Sequence, residues 1–216
     1  MKKAKLFDLK KFPMDMARLV CTPLLLIYRM RRLTPEGERY RQVFRGGGIL
    51  AANHTAFEDP FLVGVAFWYR RLFFLAAEAV MQGKLRILLL KGAGVIEINR
   101  QIADIEAIQK AVSILKNGHL LCVFPQGGIT EGQDVQAIKS GCVLMAIRAD
   151  VPIVPMHILP KGRWYQRRTV VIGRTVYPKE HFTKKIPSTA DIDRVAELVM
   201  EEMNRCAALA HRKEQV

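Results

Sequence analysis

The segment Asn53–Pro60 contains two residues, His54 and Asp59, whose side chains could carry out acid–base chemistry. Residues five apart on a continuous helix would point about 140° apart, so these two cannot share a helical face. The apolar run at 49–52 predicts a buried strand, and Asp59 followed by Pro60 predicts an N-cap and a first helical residue. A turn between strand and helix can bring Asp59 to one imidazole nitrogen of His54, so that the other nitrogen can take a proton from a hydroxyl group.

The same two residues are also compatible with a purely structural role. Asp59 would then only cap a helix, and His54 would only satisfy a buried backbone group. The rest of the chain decides between these interpretations.

Strands and helices alternate along the chain after residue 48. Apolar runs predict strands at 49–52, 72–75, 94–98, 120–124, 151–156 and 169–176. The prolines within 151–156 favour a sheet edge or a strand start. Helical patterns begin at Asp59 and occupy 82–91, 102–116 and the later part of 135–149, and Ser188 with Asp191 forms a weak capping box for a last helix. The pattern predicts an α/β fold with a largely parallel sheet flanked by helices.

Three chemically suggestive segments follow predicted strands. His54 follows the first strand of this domain, Arg100 follows the strand at 94–98, and Pro125, Gln126, Gly127 and Gly128 follow the strand at 120–124. Ligands of open α/β sheets bind at the carboxyl ends of the strands. We therefore expect these segments to meet at one edge of the sheet.

Positive charge is concentrated near the amino terminus. The 216 residues have a formal net charge of +14, and residues 1–46 contain twelve Lys and Arg against four Asp and Glu. The charge implies an anionic partner. The apolar run at 19–28 is shorter than the roughly 20 residues that cross a bilayer. It predicts either a basic amphipathic helix on a membrane surface with anionic lipids or a packed core helix with a solvated basic flank.

Composition also defines a domain border and excludes some kinds of site. Gly46, Gly47 and Gly48 form a hinge or a close backbone approach, which divides a membrane-associating helical segment (1–46) from an α/β domain (47–216). The four cysteines are far apart and lack metal-ligand spacing, so we expect reduced, mostly buried thiols and no metal site. No zinc, RNA-recognition or helix-turn-helix signature supports a nucleic-acid partner.

The order of motifs resembles the glycerophospholipid acyltransferase superfamily, and most closely the bacterial 1-acylglycerol-3-phosphate acyltransferase type. Four blocks carry the resemblance: His54 through Asp59; Gly94–Arg100; Val123–Thr130, which contains Phe-Pro-Gln-Gly; and Val151–Pro155, preceded by Lys139-Ser140-Gly141. The third block departs from the family pattern. Gln126 replaces the usual Glu, and Gly128-Ile129-Thr130 replaces a Thr-Arg-Ser that would supply a second arginine for a phosphate group.

The resemblance implies transfer of a fatty acyl chain from a thioester donor, acyl-CoA or acyl carrier protein, to the hydroxyl of a lyso-lipid, without a metal or redox cofactor. It implies His54 as the base, Asp59 as its orienting carboxylate, Arg100 as a contact for an anionic headgroup, and residues 125–128 as part of the acceptor pocket. The basic apolar segment near the amino terminus and the reduced thiols predict a peripheral or monotopic position on the cytoplasmic face of a membrane.

Two alternatives remain: a different hydroxyl acceptor, or a non-catalytic lipid-binding protein on the same scaffold. The basic residues Lys161, Arg163, Arg167 and Arg168 form either part of a donor-binding surface or a solvated loop.

Overall fold

A computed structural model describes residues 15–16, 30–77, 90–99, 104–125, 140–159, 167–182 and 187–214 of the chain. The strands are β1 (Arg31–Leu33), β2 (Gly48–Ala52), β3 (Leu72–Ala77), β4 (Val95–Ile98), β5 (Leu120–Val123), β6 (Ile153–Ile158) and β7 (Thr169–Ile172). The helices are α1 (Asp59–Ala66), α2 (Ile105–Lys116), α3 (Gly141–Ala149) and α4 (Thr189–Glu214), and a 3₁₀ helix spans Pro178–His181.

The strands form one seven-stranded sheet in the order β1-β7-β6-β2-β5-β3-β4. Every neighbouring pair is parallel except β6 and β7, so β1 and β7 run opposite to the other five strands. The carboxyl ends of β2, β4 and β5 therefore lie at the same edge. The predicted α/β class with a largely parallel sheet is confirmed.

Both faces of the sheet are covered, which explains why its central strands are continuous apolar runs. All five residues of β2 and all four of β5 are buried. On one face, residues such as Leu50 and Cys122 pack against α1 through Leu62, Val63 and Ala66. On the other face, Ile49 and Leu121 belong to a second core with apolar residues of α2, α3 and α4.

Strand β6 lies in the interior of the sheet, where the prolines favour an edge or a strand start. Pro152 precedes the strand, but Pro155 lies within it, opposite Ala51 of β2. The carbonyl of Pro155 accepts a hydrogen bond of 2.9 Å from Gly173, which directly follows β7. Proline has no N–H to donate. Pro155 lies opposite the stretch between the end of β7 and the isolated bridge that joins Ile153 to Val176, so no hydrogen bond to a residue of β7 is lost.

The predicted border at residue 46 does not coincide with a boundary of the sheet. Residues 31–33, within the predicted helical segment 1–46, form β1 and pair with β7. Tyr40 is also part of the core beside α1. A membrane-associating segment stays a prediction for residues 1–14 and 17–29, which lie outside the described residues. None of the helices in the described ranges is long and apolar enough to cross a membrane.

The close backbone approach predicted for the triple glycine occurs at Gly47. A Cβ atom there would lie 2.2 Å from the carbonyl oxygen of Leu115. Gly46 next to it has a φ of 86°, a conformation that favours glycine. These contacts place the start of β2 directly against the end of α2.

Helix boundaries follow their capping residues. Helix α2 begins at Ile105, three residues after the predicted start, because Asp104 is its N-cap and accepts a hydrogen bond of 2.9 Å from the Ala107 N–H. The predicted capping box of α4 is confirmed, since the Ser188 N–H donates to Asp191 at 2.8 Å and the Asp191 N–H to the Ser188 hydroxyl at 3.3 Å. Most of the predicted helix at 82–91 lies outside the described residues.

Candidate active site

His54 and Asp59 are in contact, as the spacing and the intervening turn predict. The His54 Nδ1 atom lies 3.0 Å from Asp59 Oδ2. Backbone N–H groups of Thr55 and Ala56 donate to the same oxygen, each at 2.7 Å. Because an ionised carboxylate only accepts hydrogen bonds, Nδ1 carries the proton and the lone pair of the imidazole is on Nε2. Asp59 is 2 % exposed and His54 17 %, so the acid is buried and the imidazole reaches the surface.

Asp59 is the first helical residue of α1, and the prediction that it is the N-cap is wrong. The N-cap position belongs to Glu58, which makes no side-chain capping bond. The Asp59 Oδ2 atom turns back toward the N–H groups of Thr55 and Ala56 in the preceding turn. The purely structural interpretation of Asp59 as a helix cap is therefore not supported by the geometry.

An ion pair holds the start of α1 against the sheet. Glu58 pairs with Arg168, which directly precedes β7 and is buried. Arg168 is therefore part of the interior rather than of the donor-binding surface or solvated loop that the sequence suggests. The pair fixes the residue next to Asp59 to a strand two places from β2.

Phe124 stacks on the imidazole of His54, a contact without a recognised signal in the sequence. The ring centroids are 4.3 Å apart and the ring planes meet at 23°. Strand register brings the two segments together, because Ala51 of β2 lies opposite Val123 of β5. Phe124 directly follows Val123, and His54 lies three residues after Ala51. The stacked ring fixes the plane of the imidazole while Asp59 fixes its edge.

Asn53 attaches the end of β2 to the end of β6. Its side-chain oxygen accepts a hydrogen bond of 2.7 Å from the Ile158 N–H, and its amide nitrogen donates to the Ile158 carbonyl at 3.2 Å. The amide nitrogen also lies 3.5 Å from His157 Nε2. Asn53 is 2 % exposed, so these bonds form out of water and hold the backbone from which His54 projects.

The predicted convergence of strand ends is confirmed in part. Pro125 is buried in the turn that follows β5, the strand next to β2. Asn99, after β4, donates its N–H to Asp104 at 2.9 Å. Arg100, Gln126, Gly127 and Gly128 lie outside the described residues, and their predicted roles stay predictions.

Three cysteine thiols are further groups that could carry out chemistry. Cys122, Cys142 and Cys206 are free and buried, which confirms the prediction for these three. Burial raises the pKa of the Cys142 and Cys206 thiols to about 12 and raises that of Cys122 further, where the Asp59 charge adds to the effect. Within the described ranges, no group of three His, Cys, Asp or Glu residues could hold a metal ion.

A cavity of about 460 Å³ lies at the opposite edge of the sheet. Gly47, Gly118 and Pro152 line it, and each directly precedes or nearly precedes the amino end of a strand. Because His54 follows a carboxyl end, this cavity is not part of the candidate site.

Comparison with known proteins gives consistent matches. The family model described as Acyltransferase matches residues 32–159, a range that includes most of β1 as well as the four sequence blocks. The chain is 26 % identical over 136 residues to a 1-acyl-sn-glycerol-3-phosphate acyltransferase of Borreliella burgdorferi, a match that covers 62 % of this chain and 54 % of the relative. It is 27 % identical over 109 residues to a protein of the same name from Bacillus subtilis, with 50 % and 54 % covered.

The chain thus spans about half the length of the curated relatives it matches. Among solved structures, the chain is similar to PlsC of Thermotoga maritima, a 1-acyl-sn-glycerophosphate acyltransferase, with a TM-score of 0.58 and 21 % identity. That match covers 92 % of this chain and 79 % of the other. At this identity the similarity shows a shared fold.

Proposed function

The chain belongs to the Acyltransferase family, and from this premise we propose that it transfers a fatty acyl chain from a thioester donor to the hydroxyl group of a lyso-lipid. The contact between His54 and Asp59 carries the proposal, because it supplies an oriented general base at the ligand-binding edge of the sheet. The names of its relatives favour 1-acylglycerol-3-phosphate as the acceptor.

The reaction needs two proton transfers, one as the acceptor hydroxyl attacks and one as the thiolate leaves. His54 Nε2 takes the proton of the acceptor hydroxyl as its oxygen attacks the thioester carbon. The carbon–sulfur bond then breaks, and the imidazolium returns the proton to the leaving thiolate. A general base of this kind contributes about 10²–10⁴ in rate. The Asp59 carboxylate stabilises the imidazolium from 3.0 Å away while the neighbouring N–H groups hold the carboxylate still.

The substrate contacts form a finer part of the proposal. Arg100 would bind the acceptor's anionic headgroup, and Pro125 with the residues 126–128 would shape the pocket around it. No metal or redox group is needed in this scheme, because each step moves only a proton or an acyl group. The protein would act as a peripheral or monotopic enzyme on the cytoplasmic face of an anionic membrane, with acyl-CoA or acyl carrier protein as donor.

A matched pair of histidine variants tests the proposal. Purified protein is mixed with acyl-CoA or acyl carrier protein and a panel of lyso-lipids, and both lipid product and released thiol are measured. His54→Ala should lower product formation at least about 10²-fold. His181→Ala should leave it unchanged, because His181 lies in the 3₁₀ helix that packs against α3 and α4.

Equal product from the unmodified protein and His54→Ala would disprove the catalytic assignment. Lipid binding without product from any acceptor would instead identify a non-catalytic lipid-binding protein on this scaffold. A product only with another lyso-lipid would retain the chemistry and replace the acceptor, which is the outcome that Gln126 in the third block makes worth testing.

A further inference from the structure

A cationic cavity of about 580 Å³ lies between β1, the turn after β1 and the end of α1. Its lining includes four arginines and two aromatic residues: Arg31, Arg32, Arg39, Arg167, Tyr40 and Trp68. Within the described ranges, none of these four guanidinium groups forms an ion pair or a hydrogen bond. By contrast, Arg71 and Arg168 each pair with a carboxylate. Within the described ranges, no carboxylate therefore neutralises the four charges of the cavity.

Arg32 shows most clearly that this cavity lacks a partner. Its Nη1 atom is buried and has no hydrogen-bond partner in the described part of the chain, and the same holds for the hydroxyl of Tyr69. The Arg32 guanidinium lies 5.6 Å from the centre of the Tyr69 ring. Buried donors are normally satisfied, and an arginine fork matches the oxygens of a phosphate group. The chemistry of the cavity is thus that of a phosphate site.

A row of exposed aromatic side chains connects this cavity to the candidate active site. Phe57, Phe61 and Trp68 are 69 %, 55 % and 49 % exposed. Phe61 lies in the first turn of α1, Phe57 in the turn before the helix and Trp68 in the turn after it. Phe57 lies in the turn between His54 and Asp59, and Trp68 lines the arginine cavity. Large exposed apolar side chains beside unpaired cations are typical of surfaces that lie at a membrane interface.

We propose that these residues form a membrane-docking face, defined by Phe57, Phe61, Trp68 and the four cavity arginines, which binds the surface of an anionic phospholipid bilayer. A lipid phosphate occupies the arginine cavity, and the aromatic side chains enter the interfacial region. Charge complementarity selects this occupant, because four arginines without an ion pair in the described ranges attract anionic headgroups. The uncharged aromatic side chains beside them suit the interfacial region of a bilayer.

The docking face gives the proposed acyl transfer its orientation, and this consequence alone rests on the proposed function. Strand β1 is three strand spacings from β2, about 14 Å. A headgroup in the cavity would hold the bilayer surface against the side of the sheet that α1 covers, and Phe57 in the turn after His54 would extend this contact toward the base. Binding itself needs no chemistry, so it can be measured in the His54→Ala protein.

The first test compares charge variants on opposite faces of the sheet. The full chain is sedimented with phosphatidylcholine vesicles that contain or lack phosphatidylglycerol. Arg31→Gln, Arg39→Gln and Arg167→Gln together should weaken binding to the anionic vesicles about 100-fold, because each surface arginine contributes roughly a factor of five. The control removes three exposed cations from α2 and α3 (Lys110→Gln, Lys116→Gln and Arg148→Gln) and should bind almost as well as the unmodified protein.

The second test places Trp68 relative to the bilayer. Trp164→Phe leaves Trp68 as the single tryptophan, since the chain contains two. Anionic vesicles with brominated acyl chains should quench its fluorescence, and Phe57→Ser with Phe61→Ser should weaken both binding and quenching. Ile105→Ser, at a residue that is 62 % exposed on α2, is the apolar control. This measurement on an intact docking face also remains informative if the triple arginine variant does not fold.

Three results would overturn the proposal. If the protein binds the vesicles but the fluorescence of Trp68 is not quenched, the bilayer contacts another face. Equal losses in the arginine variant and its opposite-face control would show only a general effect of charge. If the triple arginine variant loses binding to inorganic phosphate or to acyl carrier protein but still binds the vesicles, the cavity binds a soluble partner. Failure of the acyl transfer assay with normal quenching would reject the proposed function and leave the docking face standing.

Discussion

Asp59→Asn is the change that best separates the charge of the carboxylate from its shape. Three donors converge on a single oxygen of Asp59, two of them backbone N–H groups at 2.7 Å. In the variant, the amide oxygen should take the place of Asp59 Oδ2, because an amide nitrogen there would face the backbone N–H groups of Thr55 and Ala56, which are also donors. His54 should then keep its hydrogen bond and its tautomer, and only the negative charge should be lost.

The size of the effect follows from the contact distance. A neutral hydrogen bond to His54 in place of a charged one weakens the interaction by about 1–2 kcal/mol. Loss of the full attraction between imidazolium and carboxylate about 4 Å apart would cost about 4 kcal/mol at an effective dielectric constant of 20. These limits correspond to decreases in kcat of about 10-fold to 10³-fold, since each 1.4 kcal/mol is a factor of ten. The free energy of unfolding should change by less than about 1 kcal/mol, because the backbone donors remain satisfied.

The assay is steady-state acyl transfer by Asp59→Asn, Asp59→Ala and His54→Ala, combined with denaturant unfolding of each. Asp59→Asn should lower kcat without a large change in KM, and Asp59→Ala should also destabilise the fold because it leaves the Thr55 and Ala56 donors unsatisfied. An Asp59→Asn protein as active as the unmodified one would refute a charge role. One as inactive as His54→Ala would show instead that the tautomer changes, contrary to the predicted amide orientation.

The remaining predictions concern stability and thiol reactivity. Asn53→Ala should lower the free energy of unfolding by about 1–3 kcal/mol and also lower kcat, because it breaks the buried clamp between β2 and β6; a stable variant with normal kcat would contradict the clamp. In urea unfolding, Gly47→Ala should be strongly destabilised by its clash with the backbone of α2, whereas Gly64→Ala, with open space around its new Cβ, should be neutral or stabilised by up to about 1 kcal/mol. In a Cys21→Ser background at pH 8, Cys142 and Cys206 should resist iodoacetamide until the protein unfolds, because their pKa values are raised to about 12; rapid labelling of the folded protein would contradict their burial.

Local patterns predict the parts of this protein that neighbouring residues build. A buried strand, a turn and an Asp-Pro helix start within thirteen residues were enough to predict the contact between His54 and Asp59. The N-cap assignment failed by one residue, because the helix begins at Asp59 itself and its carboxylate accepts from the Thr55 and Ala56 N–H groups of the preceding turn. The capping box of α4 is equally local, and it is present in the structure.

The contacts between distant segments depend on the order of the strands in the sheet. Hydropathy does not encode this order, since buried parallel strands are all short apolar runs. Only the position of β6 and β5 on either side of β2 brings Ile158 to the amide of Asn53, 105 residues away, and Phe124 onto His54. The membrane-docking face has the same origin, because β1 meets β7 at the sheet edge and sets four arginines beside α1. Local patterns in the sequence are sufficient to predict the contact between His54 and Asp59 and the class of fold. The long-range pairing of similar strands determines which residues surround that contact and where the four cavity arginines lie, because it joins segments that are far apart in the chain.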